Sequence, residues 1–228
     1  QRKRKDVMDW LPEQEPPTRI LLPPTTLQQR YLKELKDYFE TEHIVTQGVL
    51  DRLIRYRQIC LHPALLNLKG NSPKLDWVLQ YLKDYPDRPT VLFSKFTSFI
   101  HLLEKELPEN SFRVIVGSTP IKTLNEHIKA FQQKKYPLLL INIDAGKEAL
   151  TIDRAEALIF TDKFPPAGDI EQATARIVAT TPDKADIPKT IYELILKGTY
   201  DEQLYDLVLQ RAASVDVINN FQKYMKGE

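Results

Sequence analysis

From Thr90 onward, short and nearly continuous apolar runs alternate with amphipathic stretches, and this alternation restricts the chain more than any other feature. The runs are Thr90-Val91-Leu92-Phe93-Ser94, Arg113-Val114-Ile115-Val116, residues 138–143, Ala157-Leu158-Ile159-Phe160 and residues 190–195. A strand that is apolar at successive positions is covered on both faces. Between the runs, Phe99, Leu102, Leu103 and Leu107, and then Ile128 and Phe131, recur at helical spacing. The pattern predicts an α/β fold, an open parallel sheet sandwiched by helices. Ligands of such folds sit at the carboxyl ends of the strands. Ser94-Lys95, Gly117-Ser118-Thr119, Asp144-Ala145-Gly146 and Asp162-Lys163 each follow a strand directly and are the first candidates for chemistry.

Ahead of the sheet the pattern differs. Residues 1–24 are rich in charge and proline, which forbids a long helix. Within them Arg19-Ile20-Leu21-Leu22 is either a short strand or an extended connector. Thr26 with Gln29 has the spacing of a capping box, and Leu27, Tyr31, Leu35 and Tyr38 continue a helix from it. A second helix runs from about Gly48 and ends before His62-Pro63, because a residue preceding proline avoids the helical basin. Ser72-Pro73 reads as an N-cap followed by proline at the first helical position, ahead of a stripe of Leu75, Val78, Leu79 and Leu82. Further caps are expected at Thr123 with Glu126, Asp169 with Gln172, and Thr199 with Glu202. The last of these opens terminal helices carrying Leu204, Leu207, Val208, Val217, Ile218 and Phe221. The expected division is a connector over 1–24, a helical subdomain over 25–70, the sheet domain over 71–198, and C-terminal helices over 199–228.

Composition removes several function classes. Lys plus Arg number 32 against 31 Asp plus Glu, so any nucleic-acid contact must come from a local patch. A single cysteine, Cys60, excludes an internal disulfide framework and a cysteine-rich zinc site, and it fits a reducing compartment. Cys60 and His62 are close, but no second ligand pair accompanies them, and a packed helix end accounts for both. The longest apolar run, 137–143, is strand-sized, so no membrane partner is expected. No Gly-x-x-x-x-Gly-Lys-Ser/Thr phosphate loop is present, which argues against an independent nucleotide hydrolase. The chain opens on Gln1, and the expectation is a piece of a longer protein. Gly117-Ser118-Thr119 offers amides and hydroxyls to phosphate, and Lys95 and Lys163 offer charge, the kind of contact that holds a nucleic-acid backbone without reading sequence. Each also has a plainer reading: a turn for the Gly-Ser-Thr stretch, and a solvated strand end for Lys95.

Taken in order, the stretches form a set. They are Arg2-Lys3-Arg4-Lys5-Asp6-Val7 with Leu11-Pro12, then Arg57-Gln58-Ile59-Cys60-Leu61-His62-Pro63 and Val91-Leu92-Phe93-Ser94-Lys95-Phe96-Thr97. Gly117-Ser118-Thr119, Phe131 and Asp144-Ala145-Gly146-Lys147-Glu148-Ala149-Leu150 come next. Gln172-Ala173-Thr174-Ala175-Arg176 and Gly198-Thr199-Tyr200-Asp201-Glu202 complete it. The set resembles the second RecA-like lobe of superfamily II helicases, specifically the SWI/SNF-type DNA translocases.

The resemblance implies a RecA-like sheet, DNA as partner, and a first RecA-like lobe that holds most of the ATP and Mg²⁺. It implies nucleotide contacts from Gly146, Glu148, Gln172 and Arg176, with Arg176 as the catalytic candidate, and DNA-backbone contacts from Ser94, Lys95, Gly117, Ser118 and Thr119. On this reading the chain alone is inactive, monomeric and intracellular, and the short helical segment looks like bacterial or phage members. Four positions depart from the family. Lys147 and Ala149 stand where glycines are usual, Leu124 where arginine is common, and Ala179 where a second arginine reaches the γ-phosphate. An arginine finger contributes roughly 10³–10⁵ in rate, so Ala179 puts efficient hydrolysis in doubt. The alternative is a non-catalytic DNA-binding or protein-docking module that kept the fold. For Arg176 a surface salt bridge, and for Arg2 to Lys5 a solvated charge run, are the plainer readings.

Overall fold

The computed structural model describes residues 16–37, 48–145, 152–162, 189–210 and 213–227. Among them lie strands β1 (Thr18–Leu22), β2 (Thr90–Ser94), β3 (Phe112–Ile115), β4 (Leu138–Asn142), β5 (Ala157–Phe160) and β6 (Thr190–Leu196). The helices are α1 (Thr26–Asp37), α2 (Val49–Leu61), α3 (Pro73–Asp84), α4 (Thr97–Glu106), α5 (Ile121–Gln132), α6 (Tyr200–Leu209) and α7 (Ser214–Lys226). The strands form one sheet in the order β1-β6-β5-β2-β4-β3, and every neighbouring pair is parallel.

The apolar runs divide by parity, as a two-sided sheet requires. Val91, Phe93, Leu139, Ile141, Leu158 and Phe160 face one layer, where Leu124 and Phe131 of α5 pack. Leu92, Leu138, Leu140, Ala157, Ile159 and Leu194 face the other, against Val78 and Tyr81 of α3 and Phe99, Ile100 and Leu103 of α4. Leu124 is therefore a core residue. A third cluster, reached from the sheet by Leu196 at the end of β6, joins α1 and α2 to the C-terminal helices. Tyr31, Leu35, Leu53, Tyr56 and Ile59 pack there against Tyr200, Leu204, Val217 and Phe221. The two helical stretches at opposite ends of the chain thus share one core.

Arg19-Ile20-Leu21-Leu22 is a strand: β1 pairs with β6 and forms the edge of the sheet. Two expected caps sit elsewhere. The box before α1 is Thr25 with Gln28, closed by Gln28 N–H to Thr25 Oγ1 at 3.2 Å and Thr25 N–H to Gln28 Oε1 at 3.1 Å. Gln28 decides the register, because its buried amide also reaches the Ile59 carbonyl at 2.9 Å. Helix α5 starts at Ile121, ahead of Thr123, with Pro120 at the N-cap. Other caps fall where expected. Ser72 accepts from Lys74 N–H, and Thr199 accepts from Asp201 N–H while Glu202 accepts from Gly198 N–H. Gly198 has φ +71, a conformation glycine adopts without penalty, and the turn it makes sends β6 into α6. The expected cap at Asp169 with Gln172 lies outside the described residues.

Candidate functional site

Parallel registry brings the ends of the central strands to one level. Ser94 of β2 is opposite Asn142 of β4, Phe93 opposite Phe160 of β5, and Ile115 of β3 opposite Ile141. The residues just beyond them are therefore neighbours in space, and they form a tightly bonded edge.

Asp162 organises it. Its Oδ1 accepts Ser94 Oγ–H at 3.0 Å, the Lys95 backbone N–H at 3.1 Å and Thr161 Oγ1–H at 3.1 Å. Its Oδ2 accepts Arg57 Nη2 at 3.0 Å, an ion pair in which both side chains are buried. Burial pulls the Arg57 guanidinium below its ordinary value, and the Asp162 carboxylate offsets only part of that. On the other side, Asn142 Nδ2 donates to the Lys95 carbonyl at 2.9 Å. The peptide units flanking Lys95 are thus held by side chains from the two strands that flank β2.

The sequence candidates separate accordingly. Ser94 is fully buried, and its hydroxyl is committed to Asp162 and to Phe96 N–H. It supports the loop from behind. Lys95 projects from the edge with its side chain 32% exposed, and its Nζ meets Asp144 Oδ1 at 2.7 Å. In the neighbouring loop, Thr119 closes a turn: its hydroxyl accepts from Val116 N–H at 2.9 Å and its own N–H donates to Val116 O at 2.8 Å. Gly117 and Ser118 form the exposed tip, and a Cβ added at Gly117 would meet nothing within 4 Å. Gly146, Glu148, Gln172 and Arg176 lie outside the described residues, as do Lys147, Ala149, Lys163 and Ala179. In the chain, Gly146 follows Ala145 just past the end of β4, and Lys163 follows Asp162 just past the end of β5.

Behind this edge lies a second buried ion pair that the sequence reading missed. Lys74 Nζ meets Asp201 Oδ2 at 2.7 Å and the Thr161 carbonyl at 2.9 Å, with Lys74 fully buried. The Asp201 carboxylate also accepts Leu196 N–H at 2.8 Å, so more than capping chemistry is involved. The available signal was Lys74 itself, a cation in the first turn of a helix, where the macrodipole disfavours it. Cys60 and His62 are packed at the end of α2. His62 Nδ1 accepts from Ala64 N–H at 3.0 Å, Cys60 is buried beside Thr199, and burial drives the Cys60 thiol far up. Among the described residues no group of His, Cys, Asp and Glu has the arrangement of a metal site.

Known proteins match this chain in sequence and in fold. The helicase conserved C-terminal domain family matches residues 73–179, which run from the start of α3 through all four strands that end at the edge. The C-terminal domain of the Sulfolobus solfataricus SWI2/SNF2 ATPase superposes with a TM-score of 0.64 at 20% identity, covering 88% of each chain. Over residues 73–179 the chain is similar to helicase C-terminal domains, and its fold is that of the SWI2/SNF2 ATPase C-terminal domain. The chain also superposes on the S. solfataricus SWI2/SNF2 ATPase core solved in complex with dsDNA. There the TM-score is 0.65 at 22% identity, covering 87% of this chain and 44% of that one. Among curated proteins it is 26% identical over 175 residues to the putative ATP-dependent helicase/translocase YwqA of Bacillus subtilis, covering 71% of this chain and 18% of YwqA. The chain therefore spans under a fifth of that relative's length. The parallel sheet expected from the alternating runs is present, and it matches the RecA-like lobe that the resemblance implied.

Proposed function

We propose that this lobe works in an ATP-dependent DNA translocase, gripping the DNA backbone and completing an ATP site shared with a first RecA-like lobe. The observation that carries the reading is the shared edge. Lys95 and the Gly117-Ser118 tip stand at the carboxyl ends of β2 and β3, and the stretches bearing Gly146, Glu148, Gln172 and Arg176 depart from β4 and β5 between and beside them. DNA and nucleotide contacts then belong to one rim of one sheet, so closure of the two lobes shifts both together.

In this scheme ATP hydrolysis supplies the free energy. Most of the nucleotide and the Mg²⁺ belong to the first lobe, while Gln172 and Arg176 reach the cleft from this one. Lys95 and the Gly117-Ser118-Thr119 loop hold phosphates without reading bases. The working unit is intracellular and comprises the helical subdomain, the sheet domain and the C-terminal helices. In the intact protein, Arg176→Ala should lower DNA-stimulated ATP hydrolysis by roughly 10³-fold or more while DNA affinity stays near wild type. Full hydrolysis by a folded Arg176→Ala protein would remove Arg176 from the catalytic role. A second reading, a DNA-binding or docking module without hydrolysis, is favoured by Ala179 in place of the second arginine. DNA binding by the intact protein with no DNA-stimulated hydrolysis would select it.

A further inference from the structure

We infer that Arg57, on helix α2, is a positioning residue for DNA binding: through Asp162 it sets the orientation of the loop that presents Lys95. The inference rests on the DNA reading of Lys95 above. It concerns the stretch Arg57-Gln58-Ile59-Cys60-Leu61-His62-Pro63, which neither the DNA contacts nor the nucleotide contacts absorb.

Arg57 belongs to the helical unit off the sheet, yet its guanidinium crosses to the sheet's edge. It meets Asp162 Oδ2 at 3.0 Å and lies over the Phe96 ring, 5.1 Å from its centroid. Phe96 immediately follows Lys95 and caps helix α4, so one side chain touches both the carboxylate that holds Lys95 and the residue after it. A carboxylate with one oxygen fixed by Arg57 has its other oxygen fixed too. That oxygen is the acceptor for Ser94 Oγ–H and Lys95 N–H. Asn142 holds the Lys95 carbonyl from the opposite side. The peptide that carries Lys95 is thus oriented before any phosphate arrives, and the ordering cost at binding is correspondingly smaller.

Stability does not explain why this pair is ionic. A buried ion pair is often no better than two apolar side chains of similar volume, because both charges are desolvated. What an apolar pair cannot do is fix the rotation of a carboxylate and, through it, a neighbouring backbone N–H.

The test uses the intact protein, a fluorescently labelled duplex and a salt series. Lys95→Ala is measured in the wild-type background and in a charge-neutral Arg57→Met/Asp162→Asn background. In wild type, Lys95→Ala should flatten the slope of log affinity against log salt by roughly 0.7–0.9, one phosphate contact. In the neutral background that contact is already lost, and Lys95→Ala should change little. An equal effect of Lys95→Ala in both backgrounds overturns the inference and leaves the DNA reading standing. No effect of Lys95→Ala in wild type overturns the DNA reading of Lys95, and the inference with it. If the neutral double variant does not fold, Arg57→Gln, which carries no charge and is too short to reach Asp162 Oδ2, replaces it. There the Lys95→Ala effect should shrink to about half or less, and an undiminished effect is the overturning result.

Discussion

Asp144 should act as a stand-in for phosphate when no DNA is bound, and its removal should tighten DNA binding. Lys95 Nζ lies 2.7 Å from Asp144 Oδ1, so a DNA phosphate at Lys95 competes with this carboxylate for the ammonium. The two side chains are 32% and 46% exposed, which places the pair among solvent-screened ion pairs of about 0–1 kcal/mol. Asp144→Asn should therefore raise affinity by no more than roughly fivefold, since 1.4 kcal/mol is about tenfold. Loss of a negative charge near a polyanion also helps binding in general, and a double-mutant cycle separates the two effects. Anisotropy titrations of a labelled duplex with the intact protein would compare Asp144→Asn alone and in a Lys95→Ala background. Competition for Lys95 makes the gain disappear in that background. A gain of equal size with and without Lys95 would refute the reasoning and assign the effect to the general field.

Other outcomes follow from the buried groups. Lys74→Met leaves Asp201 buried without its cation and should destabilise the lobe by about 3–5 kcal/mol, read as a denaturant midpoint or Tm well below wild type. A change under about 1 kcal/mol would show that the pair contributes little. His62 is buried with Nδ1 accepting from Ala64 N–H, and burial holds its pKa below the ordinary 6.5. The unfolded chain therefore takes up the proton first as pH falls below about 6.5, and stability declines from there until the folded imidazole also titrates. His62→Asn, which keeps an acceptor for Ala64 N–H but does not titrate, should flatten that decline in urea unfolding followed from pH 7.5 to 5. Tyr56 OH accepts Tyr200 N–H at 3.1 Å and meets Tyr224 OH at 2.9 Å, so Tyr56→Phe should cost about 1–3 kcal/mol by orphaning a buried amide.

The sheet was legible because its signal is local. A strand buried on both faces must be apolar along its length, and the runs at β2, β4 and β5 say so without reference to the rest of the chain. Strand β1 was ambiguous because an edge strand buries less: Leu21 is 45% exposed, and the flanking prolines read equally well as a connector. The cap before α1 was misplaced by one residue because Thr25 and Thr26 are both competent N-caps, each with a glutamine three residues on. Only the contact of Gln28 with Ile59, across 31 positions, chooses between them.

The polar framework behind the edge was illegible for a related reason. Arg57 and Asp162 are 105 positions apart, and Lys74 and Asp201 are 127 apart. They meet because β5 lies between β6 and β2, and no single strand encodes that order. Asp162 in particular gave two local clues that pointed elsewhere: it follows a strand in an α/β fold, and it precedes a lysine, so it reads as a ligand-facing residue. The sheet order turns it inward instead, where its two oxygens take four donors and free Lys95 to face outward. Lys74 is the instructive counterpart. Consistency between local and global preferences is what makes a sequence specify one fold, and a cation in a helix's first turn breaks that consistency. The conflict is resolved by Asp201 at the start of α6 and by the Thr161 carbonyl, both far away in sequence. At the exposed rim the balance differs: Asp144 meets Lys95 where solvent screens both, and a carboxylate there opposes any phosphate at Lys95, which is what the Asp144→Asn comparison measures.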